Sequence, residues 1–257
     1  YKKGGAKNLK TIQIKSVDDV IRMGKFTIKF FQVEHSILDA VGVIIETPSG
    51  TVIHPGDWTL ERDEKGRSTL DYSHLQKLKK PTVLMLESLG STNTKQHGSY
   101  EDMYNNLYNI LKGSPGRIII GTFSSQVERV KWVLDVAKKL GKRVALDGYS
   151  MKMNIELAQN LGYIKIPKGL LIDVRKIDTL PDSKVVVVCT GAQGEENAVL
   201  MRIVNQEHRT IKLKKQDTVV FSSSVIPGNE RSIQRLKDNI YRQCDNVIHG
   251  ELMDVHV

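Results

Sequence analysis

Four runs in the second half of the chain constrain the fold most: GRIIIGTF, RVALDGYS, KVVVVCTG and DTVVFSSS. Each is apolar without alternation, so each reads as a strand buried on both faces. Each is followed by a stretch with helical periodicity: SSQVERVKWVLDVAKKLG, MKMNIELAQNLG, EENAVLMRIVNQ and NERSIQRLKDNIYRQ. A further helix, SYEDMYNNLYNILKG, precedes them, with Ser99 and two acids at its start where they cap and complement the dipole. A last strand-like piece is DNVIHG. Strand and helix in alternation predict a parallel sheet flanked by helices.

The first half has another rhythm. FTIKFFQV, AVGVIIET and GTVIHPGD are β-rich runs separated by Pro-Ser-Gly and Pro-Gly turns. YSHLQKLKK reads as a short amphipathic helix, and PTVLMLES as a fully apolar strand. The pattern therefore predicts two domains of an α/β protein, residues 1–98 and 99–257.

A formal net charge of +9 favours a polyanionic partner, nucleic acid before an anionic membrane. No apolar stretch approaches the roughly 20 residues that span a bilayer. Cys189 and Cys244 are far apart and form no CxxC pair, which disfavours a disulfide framework and a thiolate metal site and suits a reducing cytoplasm.

Small polar residues cluster where strands hand over to helices, at TFSSQ, DGYSM, CTGAQGEE and SSSVIPGNE. Open parallel sheets bind ligands at these carboxyl ends, where helix N-termini offer free N–H groups. The same residues also serve as ordinary caps and turns. Neither GxGxxG nor GxxxxGK[ST] occurs, so a dinucleotide or P-loop site is disfavoured. In the first half, His35 and Asp57 follow neighbouring strands. Such residues suit metal ligation, and a turn histidine and turn aspartate equally well.

The longer stretch EHSILDAVGVIIETPSGTVIHPGDW resembles the metallo-β-lactamase half of the ribonuclease J family. There a loop histidine binds metal and a later Gly-Asp supplies a bridging ligand. ESLGSTN, GRIIIGTFSSQVERV, LPDSKVVVVCTGAQGEE, HRTIKLKKQDTVVFSSSVIPGNE and MDVHV resemble successive blocks of that family's β-CASP region, in family order. The resemblance implies part of an αββα metallo-β-lactamase domain at 1–98, then a β-CASP domain with a parallel, helix-flanked sheet at 99–257. The family's HxHxDH signature is absent, and its HxSGH block would begin at His256. The chain is thus expected to be an internal piece of a catalytic core.

By the same resemblance, His35 and Asp57 are metal ligands, with Asp57 bridging two divalent ions, zinc by expectation. Glu87 is the acid that orients a proton-donating histidine. Ser124, Ser125, Gln126 and His256 bind the phosphate of the RNA end. Leu38 and Ala40 stand where the family has proline and serine, and ESLGSTN where it has DSTN. The implied activity is RNA phosphodiester hydrolysis, 5′-to-3′ exonucleolytic or endonucleolytic, by a homo-oligomeric cytoplasmic parent acting on single-stranded RNA. The piece alone is expected to be inactive. Two other classes fit the residues: a metal-free RNA- or protein-binding scaffold, and a β-CASP hydrolase of DNA or another phosphodiester.

Overall fold

The computed structural model describes residues 10–35, 37–59, 68, 70–78, 81–88, 91 and 100–250. The chain divides into two compact units, residues 1–93 and 94–257.

The first unit is built on a sheet of five strands in the order β1-β2-β3-β4-β5: Ile21–Met23, Phe26–Gln32, Val41–Thr47, Gly50–His54 and Thr82–Leu84. β1 to β4 are an antiparallel meander, and β5 joins β4 in parallel. Pairing of Thr47 with Gly50 closes the β3–β4 hairpin, with the Thr47 hydroxyl accepting from the Ser49 and Gly50 amides. Alternation puts Phe31, Val33, Ile44 and Ile53 on one face, where Trp58, Tyr72, Leu75 and Leu78 pack on them. The segment YSHLQKLKK forms one 3₁₀ stretch, Ser73–Lys77, rather than an α-helix. Ser73 is held there by the Asp71 carboxylate through both its amide and its hydroxyl, which favours a tight turn. PTVLMLES, the fully apolar strand of the sequence, forms β5 at the edge of the sheet among the described residues, with Val83, Leu84, Met85 and Leu86 all more than half exposed.

The second unit carries the parallel sheet. Its strands are β6 (Ile118–Gly121), β7 (Arg143–Asp147), β8 (Val185–Cys189), β9 (Thr218–Phe221) and β10 (Asn246–Ile248), in the order β10-β9-β6-β8-β7, all parallel. The helices are α1 (Tyr100–Gly113), α2 (Val127–Lys139), α3 (Tyr149–Asn160), α4 (Val199–Val204) and α5 (Glu230–Tyr241). Ile119, Val187 and Val219 pack with Leu200, Ile203, Leu236 and Ile240 of α4 and α5. The alternate residues Ile118, Val186, Val188 and Val220 are also buried, on the face where α2 and α3 meet β7. Two-sided burial is why these runs show no alternation. The reading of this region as a parallel sheet flanked by helices holds.

EENAVLMRIVNQ is helical only from Val199. Before it, Glu195 turns its carboxylate back onto the Gln193 amide, and Leu200 N–H bonds to Thr190 O, so the segment folds as a loop against β8.

One charge pair lies inside this unit. Arg117 donates to both oxygens of Asp217 at 3.0 and 2.7 Å and to the Lys212 carbonyl, and the Lys214 amide bonds to Asp217 Oδ2. The two side chains are 2% and 1% exposed. Removing one partner leaves the other buried without its counter-charge. Asp217→Ala should therefore cost about 3–5 kcal/mol in urea unfolding. In native-state hydrogen exchange, the slowest amides should be those of β6 and β8, and β5 should exchange fastest among the paired strands.

Candidate functional site

Because β6 to β9 run in parallel, the loops after them gather at one edge of the second sheet. Gln193, in the loop after β8, joins that loop to the one after β9. Its Nε2 donates to Ser223 Oγ at 3.1 Å and to Ser224 O at 2.7 Å. Its Oε1 accepts from the Ile226 amide at 3.0 Å and from Asn229 Nδ2 at 3.3 Å. One buried amide thus pins SSSVIPGN against TGAQGE, with all its hydrogen-bonding capacity used. Gly194 next to it has φ +75°, and a Cβ there would lie 2.9 Å from the Ser232 backbone, so both conformation and space require glycine.

The loop after β6 carries the predicted phosphate contacts. Ser125 is exposed and Ser124 half-buried, whereas Gln126 is buried with its Oε1 taking the Thr122 hydroxyl at 2.6 Å. Thr122 lies 2.9 Å from Ser222 O as well, and Asn154 of α3 donates to Ser124 O at 2.7 Å. Gln126 therefore stiffens the turn from within. The seryl groups and the N-terminus of α2 face outward from a braced loop, an arrangement suited to an anion.

Asp147, at the end of β7, accepts from His208 Nε2 at 2.9 Å, both largely buried. His208 Nδ1 accepts from the Thr210 and Ile211 amides, so the ring proton sits on Nε2 and the second nitrogen is occupied. The pair ties chain segments together and leaves no lone pair for proton transfer. Sequence reading gave roles to neither these two nor Gln193, since partners 61 and more than 30 residues apart leave no spacing signal.

His35, Asp57 and Glu87 come to one edge of the first sheet. β2, β4 and β5 run the same way, and these residues follow their carboxyl ends. The bridge between Glu34 and Thr59, with Thr59 N–H donating to Glu34 O at 2.7 Å, brings the His35 and Asp57 turns side by side. His35 is half-buried and Asp57 and Glu87 are exposed. His35 Nδ1 accepts from the Ile37 amide at 3.3 Å, and His54 Nδ1 from the Gly56 amide at 2.9 Å. Among the described residues, no three His, Cys, Asp or Glu side chains converge to hold a metal ion. By themselves, the donors present here do not fit a dinuclear centre. The two thiols offer no substitute: burial raises the Cys189 pKa, and raises that of Cys244 to about 11. His256 lies outside the described residues.

Residues 115–240 match the family model of the ribonuclease J β-CASP domain. These residues belong to the ribonuclease J β-CASP domain family. It is 37% identical to ribonuclease J 1 of Streptococcus pyogenes over 90% of its own length and 41% of that protein's. It is 36% identical to ribonuclease J of Synechocystis over 97% of its length and 39% of that protein's. With ribonuclease J of Thermus thermophilus the identity is 35%, over 98% of this chain and 44% of that one. The chain therefore spans about two-fifths of the length of these curated relatives. A crystal structure of a protein of unknown function from Enterococcus faecalis aligns with a TM-score of 0.63 at 15% identity, over 97% of this chain and 56% of that one, and shares the fold. No described helix is long and apolar enough to cross a membrane.

Gln193→Ala should free the Ile226 amide, speeding its exchange at least tenfold while β8 and β9 keep their protection. Protection unchanged at Ile226 would show that the loop holds itself without Gln193.

Proposed function

We propose that the protein containing this chain hydrolyses RNA phosphodiester bonds with two divalent metal ions, zinc by preference, acting on single-stranded RNA in the cytoplasm. The observation that carries the reading is the match of residues 115–240 to the ribonuclease J β-CASP domain, joined to a braced, hydroxyl-bearing loop edge in that same region. In this reading residues 1–98 belong to a metallo-β-lactamase domain and 99–257 to the β-CASP domain, and the parent is a homo-oligomer.

His35 and Asp57 supply two of the metal ligands, the others coming from elsewhere in the parent. For ligation through Nε2, His35 gives up the Ile37 amide and carries its proton on Nδ1. The metal pair would supply an activated water and charge neutralisation at the phosphate. Glu87 orients an imidazole that protonates the departing 3′ oxygen. Ser124 and Ser125, with the N-terminal amides of α2, hold the phosphate of the RNA end, and His256 forms a second wall. Gln126 serves by fixing the loop.

Three outcomes test this in the parent. Asp57→Asn should abolish RNA cleavage and lower the metal content measured by plasma emission. Glu87→Gln should slow single-turnover cleavage on the order of a hundredfold and keep the metals bound. Replacing Ser124 and Ser125 together by Ala should lower the preference for 5′-monophosphate over 5′-hydroxyl RNA about tenfold and leave the salt dependence of binding unchanged. Cleavage retained in Asp57→Asn would sink the two-metal assignment. Equal use of both RNA ends by the unaltered parent would remove the phosphate pocket.

A further inference from the structure

The second sheet has another end, and its charges are sorted unevenly. At the amino ends of β6 and β9 two cations are matched, Arg117 with Asp217 and Asp178, and Lys214 with Asp182 and Asp178, and Lys215 stands exposed beside them. At the amino ends of β7 and β8 they are not. Lys138 and Lys139 close α2, Lys142 and Arg143 open β7, and Lys184 immediately precedes β8. Lys168 arrives at the same end, because residues 170–172 run parallel to β7 through the bridge of Leu171 with Val144. Lys138, Arg143, Lys168 and Lys184 are exposed and carry no ion pair among the described residues.

The cluster is dense. A Cβ on Gly141 would lie 3.8 Å from Lys184 Nζ, and Lys142 Nζ donates to the carbonyl of Ser183, the residue before Lys184. Lys142 is 6% exposed, and its pKa is lowered by burial and by the neighbouring Lys184 charge. Asp135, one turn up α2, acts on Lys139, whose ammonium also bonds the Tyr104 hydroxyl at 2.9 Å and lies 5.0 Å from that ring's centroid. Cations at a helix C-terminus complement the dipole, which accounts for Lys138 and Lys139. It does not account for Arg143 and Lys168, which lie on no helix, and Lys184 ends only a single 3₁₀ turn, Asp182–Lys184, whose acid Asp182 is paired with Lys214. Crowding like charges whose neighbouring acids, Asp135 and Asp182, act on other lysines is unfavourable, and a polyanion relieves it.

We propose that the amino-terminal edge at β7 and β8 is a second RNA-binding surface, taking the phosphate backbone away from the carboxyl-edge loops. The proposal rests on the reading of the parent as an RNA hydrolase, and assigns RNA as the polyanion. Lys138, Arg143, Lys168 and Lys184 grip phosphates without reading bases, so the surface adds affinity for long strands and little sequence preference.

The test compares two variants of the 257-residue chain. In one, Lys138, Arg143, Lys168 and Lys184 are all changed to Gln; in the other, Lys10, Arg22, Lys25 and Arg235, so both lose the same charge. Circular dichroism checks that each is folded. Binding of a labelled oligouridylate of about 30 nucleotides is followed by anisotropy across a salt series, each lost phosphate contact removing about 0.7 from the slope of log K against log salt. The patch variant should bind at least tenfold more weakly with a slope smaller by about 2–3, and the control variant should change less than threefold. Equal losses in both would overturn the proposal, as would wild-type binding by the patch variant, or binding of phosphatidylserine vesicles in place of RNA. In the parent, the patch variant should raise KM for long RNA and leave kcat, and cleavage of a substrate of about five nucleotides, unchanged. Cleavage lost on both substrates would overturn a binding role. A parent that cleaves no RNA at all would fail the hydrolase reading, while the anisotropy result would still report on the surface.

Discussion

A parallel sheet covered by helices on both faces leaves its chain polar groups only two places to meet water, the two ends of its strands. That constraint governs the second unit. Ile118 to Ile120 and Val185 to Val188 are wholly buried, so polar side chains are confined to strand ends, as with Thr218 at the start of β9 and Asp147 at the end of β7. Hydroxyls, amides and glycines collect where the strands stop, and lysines, arginines and aspartates where they begin. The candidate phosphate site and the basic edge are thus consequences of one packing decision, held about one strand length apart. A strand of four or five residues separates them by roughly 15 Å before the loops are added.

Arg117 shows how strictly this holds. It is the one charged residue among the largest fully buried side chains, and it sits one residue before β6, at the boundary between edge and interior. Its partner Asp217 stands one residue before β9, and the two strands are neighbours. The bidentate pair, closed by the Lys212 carbonyl and the Lys214 amide, clamps two strand entries together. Gly116, one residue earlier, leaves no room for a Cβ against the Gln216 carbonyl. The loop 212–217 is thereby fixed against β6, with Lys214 paired to Asp178 and Asp182 and the Lys212 ammonium bonded to the Gln206 carbonyl. The basic edge forms further along, at β7 and β8, where the nearby acids Asp182 and Asp135 act on Lys214 and Lys139 and leave Lys138, Arg143, Lys168 and Lys184 without an ion pair among the described residues.

The strands of the second unit were legible because two-sided burial writes itself as unbroken runs of Ile and Val. Helix limits were less so: α4 starts at Val199 because glycines at positive φ and the Glu195 carboxylate hold the preceding loop, which composition does not reveal. PTVLMLES, read as a fully apolar strand, does form β5 at Thr82–Leu84. An apolar run states a capacity for burial, and among the described residues β5 at its sheet edge leaves that capacity unmet. Of the site, the sequence offered the loops and their hydroxyls. It hid Gln193, Asp147 and His208, because long-range hydrogen bonds between common polar residues carry no spacing. It also presented Gln126 as a ligand contact, where the structure turns its carbonyl inward to Thr122.

The two units differ in how well they can hold a catalytic geometry. The carboxyl-edge loops of the second rest on a large core, and Ser124 and Ser125 are presented from a turn braced by Thr122, Gln126 and Asn154. His35, Asp57 and Glu87 hang from a sheet whose buried cluster comprises Phe31, Val33, Ile44 and Ile53 among the described residues. Beside them, Asp39 adopts φ 55°, a left-handed turn that aspartate tolerates and most residues resist. Catalytic groups must hold position to about 0.5 Å, and a core this small with a bare apolar edge at β5 does not impose that by itself. The apolar side chains of β5 and the ligand-bearing turns lie on the same sheet. Whatever covers Val83 to Leu86 in the parent therefore also sets the rigidity of the edge from which the proposed metal ligands reach.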